Sequence, residues 1–191
     1  MKIRRVTTTG LAAAGIVTAS TAVALPTSAD TQAYYEGYGP HTVRKEGAKG
    51  KEVLALQLML NCSGYRIPGN PQLNGNFGSN TAKQVVKYQT NQVAGHAEHA
   101  AKADGKVGAV TWHSLYIDNA SKIRYGQTNN CVKAVQVLLS KRYAQQTTGA
   151  FGKETKNNVM SFQKKTSGLK STGTVDAKTF HKLVVAKATR R

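Results

Sequence analysis

Apolar residues in this chain fall into short stripes at helical spacing, separated by glycine-rich turns. Val53, Leu56 and Leu60 stand at i, i+3 and i+7, and Leu54 and Leu58 thicken the stripe, which predicts a helix ending at Gly64-Tyr65. Phe77-Gly78-Ser79 reads as a turn into a second helix, with Ser79 as its cap and Val85, Val86 and Tyr88 on its inward face. Lys106-Val107-Gly108 is a short extended piece ahead of a third helix carrying Trp112 and Leu115. The same order returns downstream, where helices are expected near residues 130–142, 153–166 and 177–188, with Asp176 capping the last.

The downstream set is a copy of the upstream one. Gly75, Phe77, Gly78, Thr81, Val85 and Gln89 recur as Gly149, Phe151, Gly152, Thr155, Val159 and Gln163, at a constant offset of 74 residues. Val53, Ala55, Gln57 and Leu60 return as Val132, Ala134, Gln136 and Leu139. Gly105, Val107, Ala109, Thr111, His113 and Leu115 return as Gly173, Val175, Ala177, Thr179, His181 and Leu183. Three blocks in one order, twice over, make two copies of a single module. The expected fold is all-α, with tandem three-helix bundles at 43–117 and 122–185.

A module of about 65 residues buries only a thin core, so the two copies are expected to pack side by side. Phe77, Trp112, Phe151 and Phe180 are the expected core aromatics. Thr81 and Thr155 fall in first turns of helices, where a hydroxyl can satisfy free amides. Gln57, Gln89, Gln136 and Gln163 recur on otherwise apolar faces. A buried amide bonded to loop backbone is the favoured reading of these, and contact with a ligand is the other. His113 and His181, polar neighbours of Trp112 and Phe180, are expected to be exposed.

Little chain lies outside the modules. Met1-Lys2-Ile3-Arg4-Arg5 is a basic start, residues 11–25 are small and apolar, and Pro26-Thr27-Ser28-Ala29 supplies a cleavage site, so residues 1–29 read as a signal peptide. The apolar run is too short and too rich in Ala, Thr and Ser for a membrane span, which needs roughly 20 strongly apolar residues. The mature chain is therefore expected to be secreted, extracellular or wall-associated, without a transmembrane segment. Residues 30–42, with Tyr34, Tyr35 and Tyr38 among glycines, read as a flexible leader. Fifteen residues separate Gln89 from Gly105, against nine between Gln163 and Gly173. The extra residues belong to a stretch holding His96, Glu98, His99 and Asp104.

Charge adds a second theme. The full chain carries 27 basic and 9 acidic side chains, and loss of Lys2, Arg4 and Arg5 with the signal peptide leaves a net of +15. Such an excess pulls on polyanions at long range. For an exported protein the polyanions at hand are anionic wall polymers and membrane surfaces. Nucleic acid is set aside as a partner, because the basic residues are scattered, no stacking platform stands out and the export signal leads away from chromosomes. Cys62 and Cys131 are the only cysteines, and an even pair in an exported chain favours a disulfide. They occupy non-equivalent places in the two copies, which favours a cross-link between modules over a link to another chain.

Reaction chemistry finds little footing. Glycosidic cleavage uses two carboxylates across a cleft, whereas Glu46, Glu52, Glu154 and Asp176 sit at helix starts, where acids complement the dipole. No Gly-x-Ser-x-Gly elbow occurs. His96, Glu98 and His99 could offer imidazole and carboxylate ligands, but only one copy has them and no His-Glu-x-x-His occurs, so neither metal nor cofactor is expected.

The three blocks together resemble the peptidoglycan-binding domain 1 family. The residues are Val-x-x-Leu/Val-Gln, then Gly-x-Phe-Gly-x-x-Thr-x-x-x-Val-x-x-Tyr/Phe-Gln, then Gly-x-Val-x-x-x-Thr-Trp/Phe-x-x-Leu. Copy two adds Gly168-Leu169 between Gln163 and Gly173. The resemblance covers roughly residues 43–117 and 122–185. It implies compact three-helix bundles, non-catalytic, that tether exported proteins to bacterial wall peptidoglycan. The cysteines and the histidine-bearing insertion depart from the family pattern.

From loop position and polarity, Tyr65, Asn74, Asn76, Lys106 and His113 are the candidate ligand contacts in copy one. Their counterparts in copy two are Tyr143, Thr148, Ala150, Thr174 and His181. A secreted interaction module that regulates or inhibits another exported protein is the alternative function.

Overall fold

A computed structural model describes residues 42–69, 73–95 and 102–188. The expected signal peptide, nearly all of the leader and the trio His96, Glu98 and His99 lie outside the described residues. Copy one contributes helices α1 (Lys51–Cys62), α2 (Ser79–Gly95) and α3 (Ala109–Asn119). Copy two contributes α4 (Asn130–Leu139), α5 (Lys153–Lys164) and α6 (Ala177–Val185). A short 3-10 turn, Ala120–Lys122, follows α3. The all-α expectation holds, with helix ends drawn in by two or three residues downstream.

Local chemistry explains these limits. Asp176 caps α6 as expected, its carboxylate accepting from Thr179 N at 2.7 Å. Asn129 does the same for α4, accepting from Val132 N at 2.9 Å. Ser79 is a correction: it is the first helical residue of α2, and Gly78 stands at the boundary. Short pairings stitch each first helix to its own turn. Phe77 N donates to Ala48 O at 2.8 Å in copy one, and Phe151 N donates to Gln127 O at 2.8 Å in copy two.

One continuous core runs through both copies. Phe77, Trp112, Phe151 and Phe180 are all buried in it, as their size predicts. In α1 the residues Val53 and Ala55 through Leu60 are buried in succession, so this helix is covered on nearly every side. The reason is that α1 packs along α4 of the other copy, while α3 packs against α6. Helices α2 and α5 pack on α1 and α4 of their own copies. They form the outer flanks. Val86 is a second correction, since it is 38% exposed on the outer face of α2 and not turned inward.

The seam between copies has pseudo-two-fold symmetry. His113 faces its own counterpart His181, with Nδ1 and Nε2 at 3.3 Å and the rings stacked. Trp112 likewise meets Phe180, at 6.0 Å between ring centroids. Off the axis, contacts come in exchanged pairs. Cys62 and Cys131 form a disulfide. Their equivalents in the opposite copies, Lys141 and Glu52, form an ion pair at 3.1 Å. Asn130 Nδ2 donates to Asn61 Oδ1 at 2.6 Å, and its mate is Lys51 Nζ donating to Ser140 O at 2.9 Å. An interface in which residue i meets j while i′ meets j′ is isologous, the geometry of a homodimer held within one chain.

Candidate functional site

Each module is built around two glutamine clamps. Gln57 Nε2 donates to Asn76 O at 2.9 Å and to Thr81 Oγ1 at 3.2 Å, while its Oε1 accepts from Gly75 N at 3.0 Å. Gln136 repeats this on Ala150 O at 2.8 Å, Thr155 Oγ1 at 2.9 Å and Gly149 N at 2.7 Å. The second clamp uses Gln89, which holds Lys106 O, Thr111 Oγ1 and Gly105 N. Gln163 holds Thr174 O, Thr179 Oγ1 and Gly173 N in the same way. All four glutamines are buried, so the backbone-bonded reading is the one realised.

All four clamps grip one recurring motif. Gly-x-apolar-Gly/Asp-x-x-Thr occurs four times, beginning at Gly75, Gly105, Gly149 and Gly173. The spacing was visible in the sequence, but unequal loops before each glycine hid the shared role. Gly75 shows why the first position is glycine. Its φ is 75°, and a Cβ there would stand 2.9 Å from Gly50 O.

These turns place several of the expected contact residues at the surface. Asn74 and Asn76 are exposed in the turn before α2, with Asn76 N donating to Asn74 Oδ1 at 2.9 Å. Thr148 and Ala150 are exposed at the equivalent turn, where Ala150 N donates to Thr148 Oγ1. Lys106 is exposed in the turn before α3, 3.8 Å from Asp104, and Thr174 is exposed before α6. Asn76 bridges Lys49 and Val107 bridges Arg44, so segment 44–49 ties the two turns of copy one together.

Other expected contacts lie elsewhere. Tyr65 follows the C-terminal end of α1, half-buried edge-on to Tyr88 at 5.2 Å, and its hydroxyl accepts from Asn91 Nδ2. Asn76 is at the N-terminal end of the same helix, so about 18 Å of helix separates the two. Tyr143 occupies the corresponding place after α4, with Lys165 Nζ 5.8 Å from its ring centroid. Partial burial raises the Tyr143 phenol above its usual value. His113 and His181 are corrections to the expected exposure. They are 7% and 0% exposed, inside the seam between copies and out of reach of a polymer at the surface.

The outer flanks supply features that sequence reasoning did not single out. Asn157, Met160, Ser161 and Lys164 of α5 line a shallow cavity of about 410 Å³, closed on one side by Ser171. Ser171 Oγ donates to Met160 O at 3.1 Å. The equivalents on α2 are Lys83, Val86, Lys87 and Thr90, exposed along one helix face. Both faces adjoin a clamped turn. A Cβ on Gly105 would meet Val86 at 3.3 Å, and one on Gly173 would meet Met160 at 3.0 Å. The signal available in advance was an apolar residue, Val86 or Met160, among lysines, amides and hydroxyls.

Electrostatics point to architecture. Burial is the largest influence on Glu52 and raises it, but the Lys141 ammonium at 3.1 Å, a backbone hydrogen bond and the Arg44 guanidinium together outweigh it and hold the carboxyl below its usual value. Burial pushes Lys141 below the usual lysine value, although its Nζ donates to Leu183 O and Val184 O as well as to Glu52. Burial and the Asp118 carboxylate raise Tyr88, and burial pushes Tyr116 up to about 12. None of these groups opens onto the outer cavity. The arrangement offers hydrogen bonds, one apolar contact and positive charge on each flank.

The family model for a peptidoglycan-binding domain matches residues 49–95 and 128–183, one segment in each copy. The matched stretches begin just before α1 and α4, contain the first clamp of each copy, and in copy two run on through the second clamp into α6. Among the described residues no helix is long and apolar enough to cross a membrane. With its two clamped, three-helix copies, the chain belongs to the peptidoglycan-binding domain family.

Proposed function

We propose that this chain is an exported, non-catalytic protein that binds bacterial wall peptidoglycan through two modules, residues 43–117 and 122–185, after loss of a signal peptide at 1–29. The observation that carries the reading is the doubled family match, one segment on each copy of the repeat. The outer flank of each module is the binding face. Its apolar residue, Val86 or Met160, suits the hydrophobic face of a sugar or a stem-peptide side chain. The neighbouring amides, hydroxyls and lysines suit hydroxyl and carboxylate groups. Lys106 and Thr174 extend that face from the adjoining turns, while Asn74, Asn76 and Thr148 would add contacts from the turns before α2 and α5. Net positive charge concentrates the protein in an anionic wall before specific contact.

Purified sacculi provide the test. Co-sedimentation should survive high salt and removal of wall teichoic acids, and the sacculus suspension should keep its turbidity. Binding lost at modest salt reduces the activity to adsorption by charge. A fall in turbidity, or release of soluble fragments, overturns the non-catalytic assignment.

A further inference from the structure

We propose that one molecule bridges two separate wall-polymer strands and does not hold two points on one strand. This inference rests on the binding faces assigned above and adds their relative placement. In each copy the first and third helices are committed to the seam, α1 against α4 and α3 against α6. The second helix of a three-helix bundle then lies on the side away from the partner copy. The pseudo-two-fold relation, read from the exchanged pairs Cys62/Cys131 and Lys141/Glu52, sends α2 and α5 to opposite flanks.

Their axes are three helix-to-helix steps apart, about 25–30 Å at ordinary packing distances. A straight polymer segment laid against Lys83, Val86 and Lys87 leaves the protein on one side only. It cannot also reach Met160 and Lys164. The seam is fixed by a disulfide, by the partly buried Lys141–Glu52 ion pair and by a continuous apolar core, so the flanks do not swing round to share a strand. Two adhesive faces pointing apart make a cross-linker.

The probe is soluble, uncross-linked peptidoglycan chains titrated with the oxidised full-length protein under light scattering, with binding followed by calorimetry. Scattering should rise by about tenfold or more near equivalence and fall again in excess protein, as bridging by a divalent binder requires. Met160→Glu and Val86→Glu, at a half-buried and an exposed position that both lie outside the core cluster, should still bind through the intact flank while scattering stays at baseline. Wild-type binding with baseline scattering at every ratio would overturn the bridging inference and leave the binding assignment intact. Absence of binding to both soluble chains and sacculi would remove the assignment itself. Scattering by both single variants equal to wild type would show that the outer flanks are not the sites.

Discussion

Four glutamines carry much of the precision in this molecule. Each satisfies a buried glycine N–H, a carbonyl and a threonine hydroxyl with one side-chain amide. Gln136→Leu keeps the volume but orphans three polar groups at once, so it should cost about 2–3 kcal/mol. A denaturant midpoint lowered with an unchanged m-value is the expected readout. Position and recurrence of these glutamines were legible in the sequence, and the fold decides their role in favour of the loop backbone. The histidines were not legible. His113 and His181 look outward on helices considered alone, because the surface that buries them belongs to the other copy. Val86 fails for the converse reason: an apolar residue beside Val85 extends the stripe on paper, but the face it occupies looks outward with the Gly105 turn beside it and no helix over it.

At the scale of elements, periodicity located all six described helices, since stripe and turn signals agree in both copies. It could not assign helices to seam or flank. The run of buried positions through α1 was a hint, as a helix covered all round needs two partners. Glu52 shows how context alters a familiar role. An acid in a first turn complements the helix dipole, yet here it also neutralises Lys141 across the seam. The folded Glu52 carboxyl lies below its ordinary value of 4.5, so its contribution is fully present above that pH. It is lost as pH falls through the depressed folded value, when a buried ammonium is left unpaired. Unfolding free energy measured from pH 6 down to pH 2 should therefore drop more steeply for wild type than for Glu52→Gln below about pH 4.5. Lys141, lowered by burial, acts on the alkaline side, where rising pH relieves the cost of holding its charge in the core.

For the whole molecule, the repeat predicted two modules, and the two cysteines suggested a tie between them. What could not be read is the symmetry, because it depends on which residues of one copy meet which of the other. The disulfide spans a sequence separation of 69 residues, which in the chain-entropy view contributes about 4 kcal/mol. Cys62→Ala with Cys131→Ala should lower the melting temperature of the full chain, and an unchanged value would mean the packed seam alone sets stability. The connector between copies exposes Arg124 and Tyr125 at the surface. Exposed connectors of this kind are where proteases cut. Trypsin acting after Arg124 should leave a protein that runs as one band on a denaturing gel until thiol reductant is added, and then runs as two fragments. For a protein read as working outside the cell, that sulfur bond makes a cut in the connector survivable: the peptide bond is lost, but the halves stay mated.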